Sequence, residues 1–141
     1  MTSNWKTETT IVLDACALIA FFNDETGSEV VAAVLQEAAS VEISVVNLLE
    51  IAYDAVRQSG DPRSAREIVD AVQRLPINIH WNIDDAVFHH AAHFKARFRI
   101  SLADAFALAL AKSLGAPVAT SDHHEFDFLE TEGAARFIWI R

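Results

Sequence analysis

Four carboxylates stand where the chain could do chemistry: Asp14, Glu50, Asp104 and Asp122. Asp14 closes the apolar run TTIVLD at residues 9–14, and Asp122 follows a second run in VATSDHHEF. Either could be a site acid held at the end of a strand. Either could equally be the N-cap of the helix behind it, because Asp accepts hydrogen bonds from the free N–H groups of a helix start. Asp104 is the one acid in SLADAFALALAKSLG, a segment apolar nearly all round, as a buried helix is. A capping box with Ser101 explains its spacing, yet a carboxylate in a first helical turn can still belong to a site. Glu50, in VVNLLEIAYDAV, shares a helical face with Asn47 and Asp54, away from an expected core stripe of Val45, Leu49, Ala52 and Val56. Alone, Glu50 reads as part of a solvated face.

Together the four acids point to a metal. Ionised carboxylates in one cleft repel each other, so such a cleft holds cations or is pushed toward protonation. All-oxygen ligands suit Mg²⁺ or Mn²⁺, whereas zinc prefers His and Cys. Two such ions about 3.5–4 Å apart can activate water and stabilise the leaving oxygen of a phosphodiester. Net charge leads the same way. Lys and Arg number 11 against 20 Asp and Glu, a balance of −9 that disfavours binding a polyanion through the protein's own charge. A divalent cation would supply the missing positive charge.

The acids can meet only if the right elements position them. Strand-like runs occur at residues 9–14, 40–46, 77–81, 116–120 and 136–140. Between them apolar residues recur at three and four, predicting helices at 15–22, 28–39, 47–59, 63–75, 84–98 and 102–114, with a short piece near 122–129. Gly27-Ser28, Gly60-Asp61-Pro62 and Gly115 punctuate the helix ends. Alternating strands and helices imply a parallel sheet of about five strands flanked by helices on both faces, a three-layer α/β fold. Chemistry on such sheets gathers beyond the carboxyl ends of the strands. If the first, second and fourth strands are neighbours, the four acids share one mouth.

Length and composition set the frame. At 141 residues with 52% hydrophobic content, the chain is expected to fold as one domain, 1–141, with its own core. Cys16 is the single cysteine, so no intrachain disulfide forms and a reducing, cytoplasmic setting is expected. The first ten residues, MTSNWKTETT, lack the apolar stretch of a signal peptide. No window reaches the ~18 apolar residues of a membrane span, so no membrane association is expected.

The blocks IVLDACAL (11–18), SVVNLLEIAYDA (44–55), SLADAFALALAKSLGAPVATSD (101–122) and the following HHEFD resemble the PIN domain family, and more narrowly its VapC-type toxins. The likeness runs from the first strand nearly to the C-terminus, the third block being the most specific. It implies a Mg²⁺- or Mn²⁺-dependent ribonuclease acting on RNA. It also implies a homodimer, and an antitoxin partner whose tail enters the acidic groove. By the same resemblance Asp14, Glu50, Asp104 and Asp122 are the metal ligands and catalytic acids. Cys16 departs from the Ser or Thr that many relatives carry, which predicts a weaker hydrogen bond to Asp14. Thr120, two residues before Asp122, could orient it instead.

Other signals carry a structural and a functional reading side by side. His89 and His93 have a zinc-compatible spacing but lack the glutamate of the protease motif, so they read as polar helix positions. His123, His124 and Asp127 could line a groove or be solvated loop residues. The run KARFR at 95–99 suits phosphate contacts and equally suits the cation-favouring last turn of a helix. Trp81, Trp139 and the phenylalanines are expected in the core or in a dimer contact. Two other function classes compete: an inactive PIN-like module that only binds a protein, and a phosphoryl-accepting receiver domain. The receiver needs an acidic pair after its first strand and a lysine after its last; here Ala15-Cys16 and Arg141 stand there.

Overall fold

A computed structural model describes residues 4–8 and 10–141; Thr9, in the first expected strand, lies outside the described residues. After a 3-10 turn at Asn4–Thr7, the order is β1 (Thr10–Leu13), α1 (Ala15–Phe22), α2 (Ser28–Glu37), β2 (Ser40–Ser44), α3 (Val45–Ser59) and α4 (Arg63–Gln73). It continues with β3 (Asn78–His80), α5 (Asp85–Arg97), α6 (Leu102–Leu114), β4 (Val118–Thr120), α7 (His123–Thr131) and β5 (Phe137–Trp139). The strands form one sheet in the order β3-β2-β1-β4-β5, and every pairing is parallel.

Strand β1 lies at the centre and is buried on both sides, as its uninterrupted apolar run requires. Successive side chains of a strand face opposite ways. Accordingly Ile11 and Leu13 join a core with Leu18, Val34, Leu48 and Val72 beneath α1–α4, while Val12 joins Phe94, Leu108, Phe126 and Leu129 beneath α5–α7. These are the three layers that the sequence predicts. The strand order also excludes the receiver reading, whose doubly wound sheet runs 2-1-3-4-5.

Two local features differ from expectation. Strand β2 ends at Ser44, whose Oγ accepts a hydrogen bond from the Val46 N–H (3.2 Å), so α3 begins at Val45, not at residue 47. Val45 and Val46 favour strand by their branching, but the serine cap satisfies the helix start and prevails. Glu50 therefore sits in the second turn of α3, not the first. The buried face of α3 is also rotated: Asn47, Leu48, Ile51 and Ala52 are inside, while Leu49 is 65% exposed and Val45 and Val56 are only partly covered. The helix is held by α1, α4 and α6 together, and those neighbours decide which side is covered.

Gly27 opens α2 at φ +99°, and a Cβ there would stand 2.6 Å from the Ile140 carbonyl oxygen. Only glycine fits this close approach to the last strand's exit. Among the described residues no helix is long and apolar enough to cross a membrane.

Candidate active site

The sheet order reverses between β1 and β4, the place where open α/β sheets leave a crevice at the strands' carboxyl ends. Asp14 follows β1 and caps α1, and Asp122 follows β4 and caps α7. Capping and site membership, which the sequence leaves as alternatives, are thus held by the same residues. Asp104 lies in the first turn of α6, where its N–H donates to the Ser101 Oγ (3.1 Å), so its side chain is free of capping duty. Glu50 projects from α3. All four line a single cleft of about 260 Å³, bordered by Cys16, Tyr53, Asp54 and Arg57.

Hydrogen bonds tie the two strand-end acids together. Asp14 Oδ1 accepts the Ala15 N–H (2.8 Å), and its Oδ2 accepts the buried Thr120 hydroxyl (2.9 Å). Thr120 Oγ1 in turn accepts the Asp122 N–H (3.0 Å), and Asp122 Oδ1 accepts the Glu125 N–H (3.2 Å). The Cys16 thiol also donates to Asp14 Oδ2 (3.3 Å). Cys16 therefore makes the contact to Asp14 that a hydroxyl would make, with the longer bond expected of sulfur.

The cleft concentrates negative charge. Burial pushes Asp104 up to about 7, with the Asp14, Asp122 and Glu125 charges adding to it against the bond to Ser101. Asp14 is raised first by burial, against the lowering bonds from Thr120, Cys16 and Ala15, and further by Asp122. Glu50, on the more open rim, is raised by partial desolvation and then by Asp14 and Asp122. Asp14, Glu50 and Asp104 thus all lie in the field of Asp122. Burial and the Asp14 charge push the Cys16 thiol up to about 11, so it stays an S–H donor at neutral pH.

The donor set fits a hard divalent cation: carboxylate oxygens, no histidine in the lining, and an accumulated charge that a cation relieves. The side chains do not close into a finished cage. Among the described residues, no three His, Cys, Asp or Glu side chains form a group that could hold an ion as they stand. Mutual repulsion opposes a tighter arrangement, and both Asp14 oxygens already accept hydrogen bonds.

Three residues near the site carry little sequence signal. Arg57 reaches the cleft from α3, its Nη2 2.9 Å from Asp54 Oδ1; its helical spacing from Glu50 and Asp54 is the one clue. Tyr53 lines the same wall and is 64% exposed. Asn47, expected beside Glu50 on a polar face, is fully buried, and its Nδ2 donates to the Ala103 carbonyl (3.2 Å), joining α3 to the first turn of α6. Among the described residues its Oδ1 has no hydrogen-bond partner. The histidines lie elsewhere. His80 Nε2 stands 2.9 Å from Glu42 Oε1, and His123 stacks on Trp139 (3.8 Å) with its Nδ1 2.8 Å from Asp127 Oδ1. Asp127 is engaged there and is absent from the acid cleft's lining.

The architecture is that of a PIN domain. The PIN domain family model matches residues 11–131, and the chain belongs to that family. Several solved structures share the fold. DNA-bound VapBC from Salmonella typhimurium aligns with a TM-score of 0.69 at 20% identity, covering 94% of this chain and 98% of that one. VapBC-1 from nontypeable Haemophilus influenzae aligns at 0.68 and 16% identity, covering 93% and 98%. VapC20 of Mycobacterium tuberculosis, a sarcin-ricin loop cleaving toxin, aligns at 0.63 and 18% identity, covering 77% and 86%. No curated protein sequence matches the chain.

Proposed function

We propose that the chain is a divalent-metal-dependent endoribonuclease, the toxin of a VapBC-like toxin–antitoxin pair, with residues 1–141 acting as one domain in the cytoplasm. The observation that carries this reading is the convergence of Asp14, Glu50, Asp104 and Asp122 on one cleft at the sheet's switch point. The toxin–antitoxin neighbours, one of them an RNA-cleaving toxin, support it by analogy. The competing reading is an inactive module that only binds a protein. It is disfavoured by all four acids being present on one cleft, where burial and mutual repulsion oppose ionised carboxylates, a cost that a bound cation offsets.

In this reading Asp14, Asp104, Asp122 and Glu50 hold Mg²⁺ or Mn²⁺. The bound ions would lower the pKa of a water and offset the charge developing on the cleaved phosphodiester. The chain's own residues do the positioning. Thr120 and Cys16 fix the Asp14 carboxylate, and the same Thr120 oxygen fixes the turn bearing Asp122. The Asn47–Ala103 bond sets the helix carrying Glu50 against the one carrying Asp104. Burial keeps bulk water from screening Asp14 and Asp104.

The antitoxin is assigned to the groove that continues from the cleft between α1, α3 and α4. It encloses about 440 Å³, has Ile19, Phe22, Ile51 and Ile68 as apolar lining, and carries Asp54 and Glu67. A partner segment with an apolar face and a basic residue suits it. A second copy of the chain is assigned to the exposed apolar residues Leu49 and Tyr53, one turn apart on α3.

The test is cleavage of RNA by purified protein with Mn²⁺, with EDTA, and by Asp104→Asn. Cleavage should require the metal and fall at least about a hundredfold in the variant, whose circular dichroism should match the wild type. Undiminished cleavage by the folded variant rejects the site. No Mn²⁺ binding in calorimetry favours the inactive module.

A further inference from the structure

Beside the acid cleft, the segment leading into α6 and the first turns of α7 enclose a second pocket of about 330 Å³, lined by Arg97, Phe98, Arg99, His124, Glu125 and Phe128 among others. Two of its walls neighbour the acids along the chain. Arg99 lies five residues before Asp104, and α7 starts at Asp122, whose carboxylate caps the Glu125 N–H. Glu125 faces this pocket, and its charge is felt by Asp104.

The chemistry of the pocket is the reverse of its neighbour's. Phe128 is 61% exposed, although a phenylalanine on a helix is normally turned inward. It meets Phe98 edge to face at 6.2 Å, which leaves the remainder of its ring open. The Arg97 guanidinium lies 4.9 Å over Phe98 and 3.4 Å from Glu132 Oε1. Among the described residues the Arg99 guanidinium and the His124 ring have no hydrogen-bond or ion-pair partner. Lys95, the other cation of the run, is committed to the Ile100 carbonyl (2.7 Å) and so shapes the turn that presents Arg99. In a chain of net charge −9, an unpaired guanidinium beside an open aromatic ring is a local exception. Stacking rings with adjacent cations are how proteins hold unpaired nucleotides, the ring taking the base and the cation the phosphate.

We propose that this pocket holds an unpaired nucleotide of the RNA substrate next to the cleaved phosphodiester, its base on Phe128 and its phosphate on Arg99. This rests on the ribonuclease reading. It adds that positive charge for the flanking strand comes from the protein itself, so that substrate choice is set partly by the Phe128 stack outside the acid cleft.

The experiment measures binding of a labelled single-stranded oligoribonucleotide by fluorescence anisotropy, on the non-cleaving Asp104→Asn protein with and without Phe128→Ala. Affinity should fall about tenfold and be regained with Phe128→Trp, which restores a stacking surface. In the active protein Phe128→Ala should raise KM by a similar factor with kcat nearly unchanged and with Mn²⁺ affinity in calorimetry unaltered. Arg99→Ala should flatten the dependence of log affinity on log salt by about 0.7, one phosphate contact on a single strand. Wild-type protein that cleaves RNA while Phe128→Ala binds and cleaves identically overturns the pocket alone. An effect of Phe128→Ala confined to self-association or to a protein partner overturns it equally. Wild-type protein that neither binds nor cleaves RNA with Mn²⁺ overturns the ribonuclease reading, and the pocket with it.

Discussion

Thr120 joins the two strand-end acids: one hydroxyl donates to Asp14 and accepts from the backbone of Asp122. Thr120→Val keeps the shape but leaves Asp14 Oδ2 with the weaker Cys16 thiol alone and strands the Asp122 N–H. Stability should drop by about 1–3 kcal/mol in urea denaturation. Cleavage at saturating RNA should fall about tenfold or more, because the acids lose their mutual orientation. Asp104 sets a pH dependence. Its folded pKa of about 7 lies above the ordinary 3.8, so the folded state binds this proton more tightly than the unfolded state does. Metal-free protein should therefore lose stability as pH rises from about 4 to about 7, with the loss complete above that window. Thermal midpoints should decline over this range in EDTA, and Asp104→Asn should flatten the decline and be the more stable protein at pH 8, by roughly 1–3 kcal/mol. A wild-type midpoint that rises over the same range contradicts the assignment. These roles were only partly legible. Acid types at two strand ends and one helix start make Asp14, Asp122 and Asp104 candidates, but no spacing reveals that a cysteine and a threonine more than a hundred residues apart share one carboxylate oxygen.

At the scale of elements, α3 and α6 form the wall whose internal spacing governs the site. Glu50 and Asp104 come from different helices, and the buried Asn47 amide bridges them through the Ala103 carbonyl. Asn47→Ala should lower stability by about 1–2 kcal/mol and reduce kcat by a larger factor than that loss alone explains, while Mn²⁺ still binds more weakly to the shifted acids. Denaturation and single-turnover cleavage on the same preparation separate the two effects. Wild-type kcat in the variant would remove the bridge from the site. The central strand β1 is legible in the sequence because a doubly covered strand is an apolar run. The face of α3 is not. Its periodicity allows a stripe through Leu49 and Val56 as readily as one through Leu48 and Ile51, and only packing against α1, α4 and α6 chooses the second.

For the whole molecule, the exposed apolar residues of α3 bear on association. Leu49 and Tyr53 are 65% and 64% exposed and lie one helical turn apart, an arrangement a second copy would cover. Leu49→Glu should convert a dimer to a monomer in light scattering, with the circular dichroism spectrum unchanged; a mass that stays dimeric moves the interface elsewhere. From the sequence alone came the alternation of strands and helices, and hence the parallel three-layer architecture, together with the acids expected at its strand ends and helix starts. These are local properties: periodicity, capping chemistry and donor type are written within a few residues of each position. The tertiary structure decided the strand order that makes β1 and β4 neighbours, the common cleft, the rotation of α3, and the sharing of one hydroxyl by Asp14 and Asp122. Those depend on contacts between distant segments, and which of the many allowed pairings forms is settled only when the core packs as a whole.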